Sequence, residues 1–226
     1  TCHLQHKCSA PRPYEGYRLQ WVPADQVRAG DVVAFPRRAV TATPLVAVSI
    51  QFDKVLHRQH LVGEHQVPVD TDLAELLGYF ISEGNAQERG LVGFGFHEQE
   101  QDYHRATSEL SRRLFGVRVG RDDYGESHAT TIRFNSLEIA AWLRQQAGTH
   151  AQNKRIPAFL LDDPRDELLR ACLRGVFYGD GYYASTPGRK SGTLSLTTTS
   201  ETLAYQVRHV CLRWDVKSAI YVRHRP

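Results

Sequence analysis

The sequence contains no methionine, only four cysteines and no long hydrophobic run. Because even position 1 is not Met, we expect Thr1 to differ from the natural N-terminus, as in a fragment or an edited chain. The cysteines are too few and too unevenly placed for a disulfide framework, and no signal-peptide pattern opens the chain, so we expect a reducing, cytoplasmic setting. No apolar stretch approaches the roughly 20 residues that span a bilayer, which argues against a membrane role.

A large excess of charge of one sign is also missing. The chain has 28 basic and 25 acidic residues, a net charge of +3 and a pI near 8.7. This balance permits nucleic-acid binding but differs from a polycationic tail. With 41% hydrophobic and 23% charged residues, the 226 residues suit a globular protein of one large or two small domains.

An internal repeat is the most informative feature of the chain. Residues 76–84 (LLGYFISEG) and 173–181 (LRGVFYGDG) align without a gap at an offset of 97 residues, which is 180 minus 83. The matching pairs are Leu76 with Leu173, Gly78 with Gly175, Phe80 with Phe177, Glu83 with Asp180, and Gly84 with Gly181. Such self-similarity predicts two copies of one structural unit.

Each copy ends a predicted helix, because apolar residues recur at three-to-four spacing before it. These residues are Leu73, Leu76, Leu77 and Phe80 in the first helix, and Leu168, Ala171, Cys172 and Gly175 to Val176 in the second. Asp72 in the first helix, and Asp166 with Glu167 in the second, are predicted capping or first-turn acids. Gly84 and Gly181 are predicted to adopt the left-handed conformation after the last turn.

Both predicted helices therefore stop at an acid, Glu83 or Asp180. A carboxylate there lies against the negative end of the helix dipole, where a basic residue would be favoured by up to about 1 kcal/mol. A bound cation would offset both this dipole and the repulsion between the acids. Small residues would let the helices pack closely and bring the acids together: Ala74, Gly78, Ala171 and Gly175. The alternative is a pair of core helices whose terminal acids are solvated.

The two segments resemble the paired LAGLIDADG motifs of homing endonucleases, in which two helices pack at a pseudo-twofold axis and each delivers an acid. The second copy matches closely, and the first has Glu where Asp is usual. The resemblance implies an α+β fold of two pseudo-symmetric repeats, each a helix followed by strands and helices that form saddle-shaped antiparallel sheets. It also implies Glu83 and Asp180 as metal-binding catalytic acids.

The segment from Asn153 to Leu160 resembles the Lys-x-Ile-Pro block that carries the active-site lysine of intein endonucleases. Lys154 stands at the lysine position, in a chain with five lysines and 23 arginines. The resemblance therefore implies Lys154 as the third catalytic residue, although a solvated loop lysine is the alternative. Lys190 and Lys217 cannot be given this role by position.

Several segments alternate as half-buried strands do: residues 91–96, 117–121 and 130–134 in the first half, and 193–197 and 220–225 in the second. Ile132, Phe134, Leu194 and Leu196 are predicted to face the core. Helical patterns cover residues 100–115, 137–146 and 200–213. The polar strand faces suit contacts with DNA phosphates and base edges. The predicted DNA-binding residues are Arg118, Arg121, Thr131, Arg133, Arg189, Lys190, Thr193, Ser195, Thr197, Tyr221, Arg223 and Arg225.

We predict that residues 71–226 form the endonuclease domain, with a first repeat at 71–153 and a second at 164–226. The second repeat is expected to be incomplete, since the counterpart of Lys154 would fall after Pro226. Residues 1–70 are predicted to form a small, mostly β segment that is partly a splicing domain or a DNA-recognition element.

The stretch from Trp21 to Val33 resembles a segment of intein splicing domains, with a Trp, an Ala and then Gly-Asp before a strand. This implies an endonuclease inserted in an intein. His3 or His6 matches the splicing histidine only loosely, and the splicing nucleophile segment and a terminal His-Asn pair are absent, so we do not predict self-splicing. Cys2, His3, His6 and Cys8 are spaced too tightly for a usual zinc site. Cys172 and Cys211 are predicted core residues.

The implied reaction is the hydrolysis of both strands of a long double-stranded DNA target by a monomer with access to genomic DNA. Mg²⁺ is the expected cofactor, with Mn²⁺ as a substitute, because two carboxylates and DNA phosphate offer the oxygen ligands it prefers. The carbonyl groups of Ser82 and Gly179 are predicted additional ligands. The alternatives are an intron maturase that binds RNA, a DNA-binding regulator without cleavage, and an inactive intein relic.

Overall fold

The computed structural model describes residues 20–29, 31, 42–52, 63–185 and 192–223. The backbone divides into two units, residues 1–38 and residues 39–226. In the first unit, Ala24–Gln26 form a 3₁₀ turn and Trp21 is fully exposed. None of the helices in the described ranges is both long and apolar enough to cross a membrane. The domain boundary at residue 70 stays a prediction.

The second unit combines helices with antiparallel sheets. Its described strands are β1 (Ala47–Phe52), β2 (Gly63–Pro68), β3 (Gly84–Ala86), β4 (Leu91–His97), β5 (Gly120–Tyr124), β6 (Ala129–Asn135), β7 (Gly181–Ser185) and β8 (Gly192–Leu196). The helices are α1 (Thr71–Glu83), α2 (Gln101–Phe115), α3 (Leu137–Ala147), α4 (Ala158–Leu161), α5 (Asp166–Asp180) and α6 (Glu201–Arg213). The strands form a β1–β2 hairpin, a β3–β4–β6–β5 sheet and a β7–β8 hairpin. The predicted α+β class is confirmed.

Helices α1 and α5 pack directly against each other through small residues. A Cβ on Gly78 would lie 2.1 Å from the backbone oxygen of Cys172, and a Cβ on Gly175 would lie 2.7 Å from that of Glu75. Ala74 and Ala171 are also buried in the core. The close approach predicted from these small residues is therefore confirmed.

The acids at the helix starts lie in the first turns, which is one of the two roles predicted for them. Asp70 caps α1, since its carboxylate accepts hydrogen bonds from the amides of Asp72 and Leu73, each at 3.0 Å. Asp72 lies in the first turn and is not the cap. In α5, Asp166 and Glu167 lie in the first turn, as predicted.

The prediction of left-handed conformations at Gly84 and Gly181 is wrong. Both are extended, with φ of −87° and −89°. A Cβ on Gly84 would lie 2.3 Å from the Phe80 ring, and one on Gly181 would lie 2.2 Å from the backbone oxygen of Phe177. Glycine is therefore required there because the chain turns back closely over the helix end.

The four-stranded sheet supports the first repeat. Ile132 and Phe134 on β6 are buried, as predicted. The strand predicted at 117–121 is β5, and it begins at Gly120. Helix α2 ends at a left-handed Gly116 with φ of 64°, and the chain then buries Val117 before it pairs. The first β5 pair is Gly120 with Arg133.

The described strands of the second repeat, β7 and β8, are more exposed to solvent than strands β4 and β6 of the first repeat. Leu194 on β8 is 58% exposed, so its predicted core position is wrong, although Leu196 packs against the core. The strand predicted at 220–225 is not formed over its described part, 220–223. Alternation alone cannot make a strand without a neighbouring chain for its backbone groups, and β8 pairs only with β7 in the described ranges.

Candidate active site

The two predicted catalytic acids end the packed helices, α1 at Glu83 and α5 at Asp180. The Oε1 atom of Glu83 lies 2.5 Å from the position that a Cβ on Gly179 would occupy. Ser82 also faces α5, since its hydroxyl lies 3.4 Å from the backbone oxygen of Gly175. The structure therefore brings the last turns of both helices together at one end of the pair.

The surroundings of these acids disfavour their charged forms. Burial raises the pKa of Glu83 to about 7, with further contributions from the negative charges of Asp180 and Glu100, and Lys154 opposes the shift. Burial also raises the pKa of Asp180, again against the opposing effect of Lys154. A cation beside these carboxylates would stabilise their charged forms against the burial and the negative helix ends.

Lys154 is buried beside the end of α1, with 6% of its surface exposed. Its Nζ donates hydrogen bonds to the backbone oxygens of Phe80 at 2.5 Å and Gly84 at 2.7 Å, and lies 3.9 Å from the centre of the Phe80 ring. Burial lowers its pKa to about 8, while Asp180 and Glu83 act in the opposite direction. The alternative of a solvated loop lysine does not match this geometry.

The backbone around Lys154 is held by helix α6 of the second repeat. The hydroxyl of Ser200 donates to the backbone oxygen of Lys154 at 2.6 Å, and the Ser200 hydroxyl oxygen also caps α6 by accepting a hydrogen bond from the amide of Leu203 at 3.1 Å. The Gln206 side chain bonds both backbone groups of Ile156, at 2.7 and 3.1 Å. Sequence reasoning did not identify these positioning residues, because their contacts join segments about 50 residues apart.

The donor set at the helix ends fits a hard divalent cation. Glu83 and Asp180 supply carboxylates, and the carbonyls of Ser82 and Gly179 belong to last turns, where helical carbonyls lack partners within the helix. In the described residues no group of three or more His, Cys, Asp or Glu forms a fuller metal cage. A Mg²⁺ ion with few protein ligands, completed by water and phosphate, suits such a set.

A cleft of about 400 Å³ opens beside Asp180. Its lining is Ile81, Ser82, Gly84, Asn85, His150, Ala151, Lys154, Asp180, Thr197, Thr198 and Thr199. Of these, sequence reasoning identified Ser82, Lys154 and Asp180 as site residues and Thr197 as a DNA contact. Asn85, two residues after Glu83, was not singled out, and His150 and the other two threonines were missed because nothing in the local sequence places them near the acids.

The predicted DNA-binding residues are spread over several surfaces. Arg118 is exposed, whereas Arg121 bonds Asp123 at 2.8 Å and Arg133 bonds Asp122 at 2.9 Å, so acids partly neutralise these two side chains. Thr131 is half-buried. The exposed members in the second repeat are Thr193, Ser195, Thr197, Tyr221 and Arg223. Arg189, Lys190 and Arg225 lie outside the described residues, as do Cys2, His3, His6 and Cys8.

The chain is similar in sequence to several known proteins, and a family model matches the part that contains most of the second helix copy. The chain is similar to the ATP-dependent DNA helicase Hel308 of Thermococcus kodakarensis, with 31% identity over 196 residues that cover 79% of this chain and 17% of the helicase. It is also similar to a DNA polymerase of that organism, with 33% identity over 62% of this chain and 8% of the polymerase.

A third relative is the replication factor C small subunit of Methanocaldococcus jannaschii, with 24% identity over 88% of this chain and 9% of that protein. The chain thus spans less than a fifth of the length of each of these relatives. Residues 167–226, which include most of α5 and Asp180, match the family model of the LAGLIDADG-like domain.

Proposed function

We propose that this chain is a site-specific homing endonuclease that hydrolyses both strands of a long double-stranded DNA target. One observation carries the proposal: two packed helices end in Glu83 and Asp180, and the buried ammonium of Lys154 lies beside them. The match to the LAGLIDADG-like domain supports it, since proteins of this family are typically DNA endonucleases. Two acids at a pseudo-symmetric junction suit two cuts, one in each strand.

We propose Mg²⁺ as the cofactor, with Mn²⁺ as a substitute, held by Glu83, Asp180 and the carbonyls of Ser82 and Gly179. When bound, such an ion neutralises charge on a scissile phosphate and activates water. Lys154 would stabilise the negative charge that develops on the phosphate, and the two hydrogen bonds from its ammonium to backbone carbonyls, which restrain its position, support this role. Preorganisation of this kind costs no rearrangement during the reaction.

The DNA would lie over the polar faces of the sheets. Exposed Arg, Thr, Ser and Tyr side chains on or near β5, β6 and β8 provide donors for phosphates and base edges. Because Arg121 and Arg133 are paired with aspartates, their guanidinium groups would have to exchange a carboxylate for a phosphate. Both motif copies lie on one chain, which supports a monomer.

The relatives support an inserted element as the origin of the chain. A helicase, a DNA polymerase and a replication factor C small subunit are named for different tasks, yet each resembles this chain over a small part of its length. A mobile segment carried by different host proteins accounts for that pattern. The Trp21 to Val33 resemblance supports an intein as the carrier, although its structure is described only at residues 20–29 and 31.

The second function to consider is binding without cleavage, as in an intron maturase or a DNA-binding regulator. Neither role needs two partly buried acids with raised pKa values beside a buried lysine, an arrangement that costs the fold stability. Competition between duplex DNA and RNA of matched length would separate a maturase from a nuclease.

The deciding experiment is cleavage of a randomised duplex-DNA library with and without Mg²⁺. We expect Mg²⁺-dependent cuts in both strands at one extended sequence, and loss of cutting but not binding in Asp180→Asn. Asp102→Asn is the matched control, since the Asp102 side chain is 88% exposed. Binding without cleavage by the unaltered protein would contradict the nuclease proposal.

A further inference from the structure

His150 adopts a backbone conformation that only glycine adopts without strain. Its φ is 59° and its ψ is 150°, in the region that side chains other than glycine's rarely enter. The loop is fixed on both sides, since the amide of Asn153 donates to the backbone oxygen of His150 at 3.1 Å and the amide of Arg155 donates to that of Ala147 at 3.0 Å. These two hydrogen bonds restrain the backbone on both sides of His150.

The neighbouring Gly148 shows how such a position is normally filled. Its φ is 85°, and a Cβ there would lie 2.0 Å from the backbone oxygen of Asn153. The sequence thus uses glycine where this loop requires it but keeps an imidazole two residues later. Since glycine would remove the strain at 150 as well, a histidine in this conformation points to a role for its side chain.

The imidazole is exposed and lines the cleft beside Asp180. The same cleft contains the Lys154 side chain and the Thr197 to Thr199 segment, so its wall offers an ammonium, hydroxyls and a ring N–H. The amide of Thr197 donates to the backbone oxygen of Asp180 at 3.3 Å, which ties this wall to the acid. Donors gathered around one acid suit the oxygens of a phosphodiester.

The lining of the cleft includes Asp180 but not Glu83. The offset of 97 residues pairs Ile81, which lines the cleft, with Tyr178. Tyr178 is instead stacked on Tyr103, with ring centres 5.2 Å apart, and lies 6.2 Å from the ring of Tyr79. The two acids are therefore flanked differently, and His150 lies on the Asp180 side.

We propose that His150 donates a hydrogen bond to a non-bridging oxygen of the scissile phosphate in the strand that enters this cleft. The proposal rests on the endonuclease function and adds a catalytic residue that works on one strand. No proton transfer is assigned to the ring. The other strand is cut without help from His150.

The test uses His150→Gly, which removes the imidazole and relieves the backbone strain. On a supercoiled plasmid that carries the selected target, the unaltered protein produces linear DNA. We expect the variant to cut one defined strand about 10- to 100-fold more slowly and the other at an unchanged rate. Nicked circles with the break always in the same strand should therefore accumulate. Added imidazole should restore the slow cut.

His128→Gly is the matched control, because His128 is also exposed with a positive φ of 51° but does not line the cleft. It should leave both strand rates unchanged. Unchanged rates in His150→Gly, or equal slowing of both strands, would overturn the role of His150 while the nuclease proposal stood. If the unaltered protein left the plasmid uncut, this result would overturn the endonuclease proposal and, with it, the proposed role of His150. Thermal unfolding should show that both variants are folded.

Discussion

The backbone oxygen of Cys172 lies 2.1 Å from the position that a Cβ on Gly78 would occupy. No side chain can be accommodated at that distance, so the two helices are in contact through their backbones. This contact fixes the spacing of the helix ends, and with it the distance between Glu83 and Asp180. The geometry of the proposed active site therefore depends on a glycine more than one helical turn away.

Gly78→Ala should push the helices apart and destabilise the protein by about 1 to 3 kcal/mol, the usual cost of overpacking. Urea unfolding monitored by circular dichroism measures this change. Gly95→Ala is the control, because a Cβ on Gly95 meets nothing within 4 Å. Equal unfolding midpoints for the two variants would contradict the backbone contact.

Glu83→Gln should make the protein more stable above pH 7. The pKa of Glu83 is raised from 4.5 to about 7, so the folded state holds more protons than the unfolded state between these values, and stability falls as pH rises through this window. After allowance for solvent screening, the cost of the ionised form is on the order of 1 to 2 kcal/mol.

Thermal melts of Glu83→Gln and of the unaltered protein at pH 5 and pH 8, without metal, measure the cost of the ionised Glu83 carboxylate. At pH 8 the melting temperature should rise by several degrees, and at pH 5 the gain should be smaller. Glu88→Gln, at an exposed position, should show no such pH dependence. A gain that is equal at both pH values would exclude the ionised carboxylate as the cause.

Lys154→Met should reduce cleavage about 10²- to 10³-fold while DNA binding persists, because the charge opposite the developing negative phosphate is lost. Single-turnover cleavage and gel-shift assays separate the two effects. The exposed Lys217 provides the comparison variant, Lys217→Met, which should cut normally. Cleavage by Lys154→Met at the normal rate would restrict the lysine to a structural role.

Arg165→Leu should destabilise the fold by about 3 kcal/mol, since it leaves a buried charge without its partner. The Asp163 side chain is fully buried and is bonded by Arg165 at 2.7 and 2.9 Å, and Arg165 also donates to the backbone oxygens of Val69 and Leu45. Urea unfolding should show the loss. Arg105→Leu, which removes an exposed ion pair, should cost less than 1 kcal/mol.

The centre of the fold was predictable because the two helix copies carry their own packing signal. Gly78 and Gly175 appear in the repeat itself, and their small size indicated the close contact that the structure contains. The resemblance identified Lys154 as a site residue, but it did not predict that the side chain is buried or that it bonds two backbone carbonyls. Its site role, like those of Glu83 and Asp180, stays a prediction.

The missed features depend on contacts between distant parts of the chain. Ser200 looks like an ordinary helix cap, and only the folded chain shows that it also holds the Lys154 backbone. Leu194 alternates correctly for a strand, yet nothing in the described residues covers its hairpin. His150 has no local pattern around it, and its role became arguable only from its backbone angles and the cleft.

The negative ends of α1 and α5 meet where two partly buried acids already repel each other, so the proposed site is a weak point of the fold. A lineage that no longer needs to cut DNA would gain stability by replacing either acid. Loss of cleavage is then a stabilising mutational step, whereas recovery requires a destabilising one. Without selection for cutting, descendants of this chain should drift toward more stable proteins that still bind DNA and no longer cut it.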